Sequence, residues 1–181
     1  MASPVGHTIL GIAVSSLFWK QFAFKKWVFW GAVLLFANLA DFDYFFGFFT
    51  GNPNAYHRLW THSFGFVLFT GIIVLLRCRM TTRTWDFRWP VFVMILMSSH
   101  LIIDYLGMDT RGNIGIPLFW PISSECFISP VSVFRDIHKS HSSHNFVQSL
   151  FSWYNGITVL LEVAVAIPFV ILIFYLNKLK K

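Results

Sequence analysis

Five long apolar stretches, separated by short charged or glycine- and proline-containing connections, organise the chain: residues 3–19, 27–49, 63–78, 89–108 and 153–176. A helix needs roughly 17 to 25 mostly apolar residues to cross the hydrocarbon core of a bilayer, and these stretches lie in or near that range. The first and third are short, so tilting, shallow insertion or extension into their flanks is expected of them. The pattern predicts an all-α, polytopic membrane bundle of about five transmembrane helices. Residues 109–152 form one long polar segment carrying Pro117, Pro121 and Pro130, long enough to fold over an end of the bundle as an extracytoplasmic lid. No internal repeat or second domain interrupts residues 1–181, which read as a single integral-membrane domain.

Composition supports this class and charge orients it. With 56% hydrophobic and only 12% charged residues, the chain is too apolar for a soluble domain of 181 residues. Its net charge of +6 does not point to nucleic acid, because the basic residues sit in short runs beside the apolar stretches, as juxtamembrane anchors do. Lys20, Lys25, Lys26, Arg77, Arg79, Arg83, Arg88, Lys178, Lys180 and Lys181 fall on one side, against Arg58, Arg111, Arg135 and Lys139 on the other. The positive-inside rule therefore predicts an N-terminus outside a bacterial inner membrane and a C-terminus in the cytoplasm. Trp19, Trp27, Trp30, Trp85 and Trp89 gather at the expected inner boundary, with Trp60 and Trp153 at the outer one. The first seven residues lack a basic n-region, so the first apolar stretch is not expected to be a cleaved signal. Cys78 and Cys126 fall at opposite faces and are not expected to pair.

With that topology, seven polar residues meet at the outer leaflet: His7, Asp41, Asp43, His57, His62, His100 and Asp104. Ionisable groups at membrane depth are costly and usually functional, and imidazoles with carboxylates are the ligand chemistry of zinc or manganese. His100 and Asp104, four residues apart, share one helical face and can reach one metal or bridge two; the plain alternative is a buried pair that joins helices. His57 and His62 bracket a helix entrance, where Thr61 or Ser63 could cap and Arg58 could hold an anionic group. Asp41 and Asp43 diverge by about 200° on a regular helix, so both face one site only where the helix breaks. Asn38, Gly47 and Gly51 allow such a break; otherwise one carboxylate is a ligand and the other orients a ligating histidine. His7 alone reads as an interfacial polar residue. His138, His141 and His144, three residues apart, suit a second metal site, a proton relay or a solvated helical face. Glu162, inside the last stretch, is expected to be protonated or turned towards the site, as an accessory ligand or acid–base group.

The order Gly6-His7, Asp41-x-Asp43, His57-Arg58-x-x-Thr61-His62-Ser63 and His100-x-x-x-Asp104 resembles the YdjM-like family of LexA-induced, membrane-bound metal-dependent hydrolases, over about residues 1 to 120. The resemblance implies metal ligation by His7, Asp41 or Asp43, His57, His62, His100 and Asp104. Leu59 stands where a glycine is usual and Ala40 where a proline often precedes the first aspartate, so the loop and the helix break should be shaped differently here. A looser likeness to zinc-dependent phospholipase C, by analogy alone, leans towards phosphoesters.

These readings combine into a membrane-embedded hydrolase using two divalent metals, zinc or else manganese, to cleave an ester or phosphoester of a phospholipid or other amphiphile at the outer face. Whichever of Asp41 and Asp43 does not ligate the metal would be the catalytic base that orients water, and Arg58 and Arg111 would hold an anionic head group. Membrane lipids are the expected surroundings, and the sequence carries no signal for oligomeric state. The rival is a non-catalytic metal-binding membrane protein or a divalent-cation carrier, but a carrier needs polar groups continuing to the cytoplasmic side, where the stretches are nearly devoid of them. A membrane protease is disfavoured by the absence of His-Glu-x-x-His.

Overall fold

Local sequence signals place the helix boundaries. Residues 2–22, 25–108 and 114–179 are described in the structure, a computed structural model. Ser3 caps the first helix, α1 (Pro4–Ser16), by accepting from the Gly6 amide at 3.2 Å, and Pro4 occupies a first-turn position that needs no amide donor. The next helix, α2 (Lys26–Ala37), stops at Asn38, whose side-chain amide donates to Leu34 O at 2.9 Å and to Thr8 Oγ1 at 3.0 Å. The chain then tightens into a 3-10 turn, Leu39–Asp43, and continues as α3 (Tyr44–Phe49), bent by 62° from α2. Gly47 is required there, since a Cβ would lie 2.4 Å from Pro53 O and 2.6 Å from Asn52 O. Ser63 caps α4 (Phe64–Thr82) through the Phe66 amide at 3.1 Å, and Arg83 ends that helix in a left-handed conformation. Three further helices follow: α5 (Arg88–Tyr105), α6 (Ser143–Leu150) and α7 (Trp153–Leu179).

α5 is the central helix and packs on α1, α2 and α4. One face of it joins Phe29 and Val33 through Phe92 and Leu96, with Phe18, Phe22, Trp30 and Trp89 packed around them. A second face packs Val93, Met97 and Leu101 on Val67 and Ile116. α1 runs parallel to α7: Ser3 meets Glu162 near one end, and Ser16 O accepts from Asn177 Nδ2 at 3.1 Å near the other. Small residues allow α1 to approach α2 closely, as Gly11 sits where a Cβ would come within 2.8 Å of the Ala37 methyl. Leu68, Phe69, Ile72, Ile73 and Leu76 of α4, with Ile167, Phe169, Ile171 and Leu172 of α7, remain exposed, an apolar surface suited to lipid.

The expected count of five transmembrane helices is corrected by this arrangement. Among the described residues two helices, α4 and α7, are long and apolar enough to cross a membrane, and a third span exists only if α2 and the bent segment after it count as one. With 13 residues, α1 is about 20 Å long, short of the roughly 30 Å hydrocarbon core. α5 has 18 residues but buries ten of them and carries Arg88, Ser98, Ser99, His100 and Asp104. Hydropathy along the chain registers apolar character without telling protein-facing from lipid-facing helices, and α5 is apolar because it is the core.

The segment 114–152 packs at the cluster end of the bundle. Phe64 N donates to Leu118 O at 2.9 Å and Asn54 Nδ2 to Ser140 O at 3.0 Å. Asn155, at the start of α7, pins its last part by accepting from His138 N at 2.8 Å and donating to His138 O at 2.8 Å and Ser149 O at 3.1 Å.

Candidate metal centre

The end of α2 fixes the first ligand. The Asp41 amide turns to Asn38 O at 3.1 Å, as a 3-10 turn requires, and the Ala37 carbonyl accepts from His100 Nδ1 at 2.8 Å instead. The Nδ1 proton is thereby assigned, and His100 presents a bare Nε2 to the interior. His62 is fixed in the same sense. Its Nδ1 lies 3.0 Å from Thr61 Oγ1 and 3.3 Å from Asp43 Oδ2, so Nε2 is again the nitrogen that faces inward. The two Nε2 atoms are 3.4 Å apart, both on fully buried rings, with two carboxylates beside them.

The separations within this group have a definite geometry. His62 Nε2 is 3.5 Å from Asp41 Oδ1 and 3.3 Å from Asp104 Oδ2; His100 Nε2 is 3.7 Å and 3.5 Å from the same two oxygens. A regular tetrahedron with such edges has its centre about 2.0 to 2.3 Å from each corner, which brackets ordinary zinc–nitrogen and zinc–oxygen distances. Asp41 Oδ1, Asp41 Oδ2 and Asp104 Oδ2 are buried without a hydrogen-bond partner. Buried carboxylate oxygens without donors and facing imidazole lone pairs are costly arrangements that a cation relieves. Asp41, His62, His100 and Asp104 thus form a cluster able to hold a divalent metal, and the donor set fits the ion.

Asp43, His57 and His62 make a second group of metal-binding dimensions. Here the carboxylate is well supplied with donors: His57 Nδ1 at 2.9 Å, the Arg58 amide at 3.0 Å, Thr61 Oγ1 at 2.8 Å and His62 Nδ1 at 3.3 Å. Asp41 and Asp43 therefore address opposite nitrogens of the same imidazole. The 3-10 turn makes this geometry, because positions two apart at three residues per turn are separated by about 120°. Arg58 adopts φ 62°, which turns its amide onto Asp43, and its side chain is buried. His57 stacks on Tyr44 with ring centroids 4.0 Å apart. Burial drives the His57 imidazole down to about 4 against the pull of its Asp43 hydrogen bond, so the ring is neutral. Burial acts on His62 in the same direction, but contacts from Asp104, Asp41 and Asp43 outweigh it and set that ring well above the usual imidazole range. Three carboxylates around one imidazole favour a positive charge there, whether proton or metal.

His7 stacks on His100 at 3.7 Å and places Nε2 3.4 Å from Asp104 Oδ1, the oxygen turned away from the four-atom group. Neither of its ring nitrogens has a hydrogen-bond partner. The α1 start that carries it is held by Glu162, which is buried, accepts from the Ser3 amide at 2.8 Å and also bonds the Ser3 hydroxyl. Glu162 turns into the bundle, and its partner is the α1 cap. The other expected residues lie elsewhere. His138 stacks on Tyr154 at 3.8 Å, while His141 and His144 are exposed; α6 begins only at Ser143, so the three do not share a helical face. Arg111 lies outside the described residues.

Lys139 is the residue that sequence reasoning passed over. It donates to the Tyr44 hydroxyl, lies over that ring at 4.8 Å from its centroid and, with Asp41, lines a cavity of about 260 Å³. Its one sequence signal was to be a basic residue on the side where few occur. Burial lowers the Lys139 pKa, while the charges of Asp41, Asp104 and Asp136 pull it back up.

A comparison with protein families matches residues 1–179 to the family described as YdjM inner membrane protein. Neither curated proteins nor solved structures yield a match.

Proposed function

The chain belongs to the YdjM inner membrane protein family, and from that membership and the buried cluster we propose that it is a membrane-embedded, metal-dependent hydrolase of an ester or phosphoester. The observation that carries this reading is a pair of imidazole nitrogens 3.4 Å apart, each 3.3 to 3.7 Å from oxygens of Asp41 and Asp104, inside the protein and backed by hydrogen bonds that orient both rings. Asp41, His62, His100 and Asp104 would hold one ion, of which zinc fits the geometry. His7 and the outer oxygen of Asp104 offer donors for a second. A neutral imidazole has one bare nitrogen, so His62 serves the inner group, and Asp43 with His57 stands behind it as the support that fixes its tautomer.

A bound divalent ion supplies a Lewis acid that acidifies water and stabilises negative charge on the attacked group. The rest falls to the chain itself. Asp41 lines the cavity and is the carboxylate placed to orient water and take its proton. Asp43, already accepting from two backbone or hydroxyl donors besides its histidines, keeps the geometry rigid. Among the described residues Phe29, Val33, Phe92 and Leu96 form an apolar core between α2 and α5, which favours turnover at one face over passage of an ion. The described basic residues Lys20, Lys25, Lys26, Arg77, Arg79, Arg83, Arg88 and Lys178 lie at the opposite end from the cluster, so the site is proposed to face outward, with the 114–152 segment as its lid.

Full-length protein in a neutral detergent should hydrolyse lipid esters or phosphoesters, lose at least about 90% of that activity to 1,10-phenanthroline and recover it with zinc. Activity that persists in protein shown by elemental analysis to be metal-free would reject the assignment.

A further inference from the structure

The cavity beside the cluster has one polar corner and an otherwise apolar lining. Ile137, Phe146 and Leu150 come from the segment that covers the helices, Phe42 from the 3-10 turn, and Asn38, Asp41, Tyr44 and Lys139 supply the polar groups. Lys139 is positioned: its ammonium donates to Tyr44 Oη and sits over the ring, which is held between His57 at 4.0 Å and Phe146 at 5.3 Å. Lys139 and Asp41 line the same cavity, so the cation shares it with a donor of the cluster.

We propose that this cavity binds the head of an anionic amphiphile, a phosphate monoester or diester carrying an alkyl chain, and that Lys139 holds its phosphate. The proposal takes the hydrolase reading for what happens to the ligand, but binding stands on its own evidence. An ammonium fixed at the polar corner of an apolar pocket complements an anion and gives no preference to a neutral ester. At about 260 Å³ the cavity falls below the roughly 300 to 1,000 Å³ of pockets that enclose a whole small ligand, so it takes the head and the first carbons. Phe42 is 57% exposed at the cavity and continues into the exposed Phe45, Phe46 and Phe49 of α3, an aromatic surface on which the rest of a chain can lie in the bilayer. Arg58, expected to hold an anionic group, does not line this cavity.

The test is calorimetric titration of full-length protein in dodecyl maltoside with dodecyl phosphate, inorganic phosphate and the neutral dodecyl glycerol ether. Wild type should bind dodecyl phosphate at least about tenfold more tightly than either of the others. Lys139→Met should lose about tenfold or more of that affinity and Lys139→Arg should keep most of it. Leu150→Trp, which fills the apolar wall without touching the cation, should weaken binding as well and carries the test if Lys139→Met does not fold. Equal binding of dodecyl phosphate by wild type and Lys139→Met, or by wild type and Leu150→Trp, overturns the proposal; so does a neutral ether bound as tightly as the phosphate, or inorganic phosphate bound as tightly as its dodecyl ester. Activity read on the same samples separates the two readings: wild type that binds dodecyl phosphate through Lys139 but hydrolyses no ester or phosphoester after zinc is restored would sink the hydrolase and leave this site standing.

Discussion

His100→Ala and Asp104→Ala proteins should purify without stoichiometric metal, whereas Asp86→Ala protein should purify with it. Each of the first two changes removes one of four donors, and the remaining three would need solvent in the vacant position and hold the ion far more weakly. Loss of a residue that only orients a ligand typically weakens metal affinity by about 10 to 100-fold, so loss of the ligand itself should exceed about 100-fold. Asp86 is the control because its partner, Arg88, lies 2.7 Å away at the far end of α5 and touches nothing in the cluster. Elemental analysis of the three proteins purified alike decides the matter. Stoichiometric metal in both His100→Ala and Asp104→Ala would remove these residues from any metal site.

The second large effect separates the two neighbouring aspartates. Asp41→Asn should lose metal as completely as Asp104→Ala, because both Asp41 oxygens are buried without hydrogen-bond donors and the inner group depends on their charge. Asp43→Asn should keep a saturable site of about 10 to 100-fold lower affinity. An asparagine there can leave its oxygen facing the Arg58 amide, Thr61 and His62, and offer its amide to His57, which need only change tautomer. Titration of apo-protein with zinc against a competing chelator measures both variants. Tight binding by Asp41→Asn and none by Asp43→Asn would exchange the roles assigned to the two carboxylates.

The polar cluster was legible in the sequence because its rules are local or global, with little in between. His100 and Asp104 share a face by helical periodicity, and the asymmetry of lysine and arginine carried His7, Asp41, His57 and His62 to the same end. The division of labour between Asp41 and Asp43 was not legible, since it depends on a 3-10 turn and on which nitrogen of His62 each carboxylate meets. The number of spans misled for a physical reason: α5 is apolar to fill the protein interior, and α1 is apolar but too short to reach across a bilayer. Glu162 bonds Ser3 from 159 residues away, a pairing no periodicity announces. Lys139 lies in irregular chain whose position is set by Asn155 and by packing on Tyr44, so only the folded arrangement shows it at the cavity. The three-residue spacing of His138, His141 and His144 suggested a helical face, but the helix starts at Ser143.

X-ray absorption at the metal edge of the purified full-length protein should find about one or two ions per chain, surrounded by nitrogen and oxygen at about 2.0 to 2.2 Å with the multiple-scattering signature of two or three imidazoles. Protein without stoichiometric metal, or a sulfur shell at about 2.3 Å from Cys78 or Cys126, would contradict the proposed metal centre.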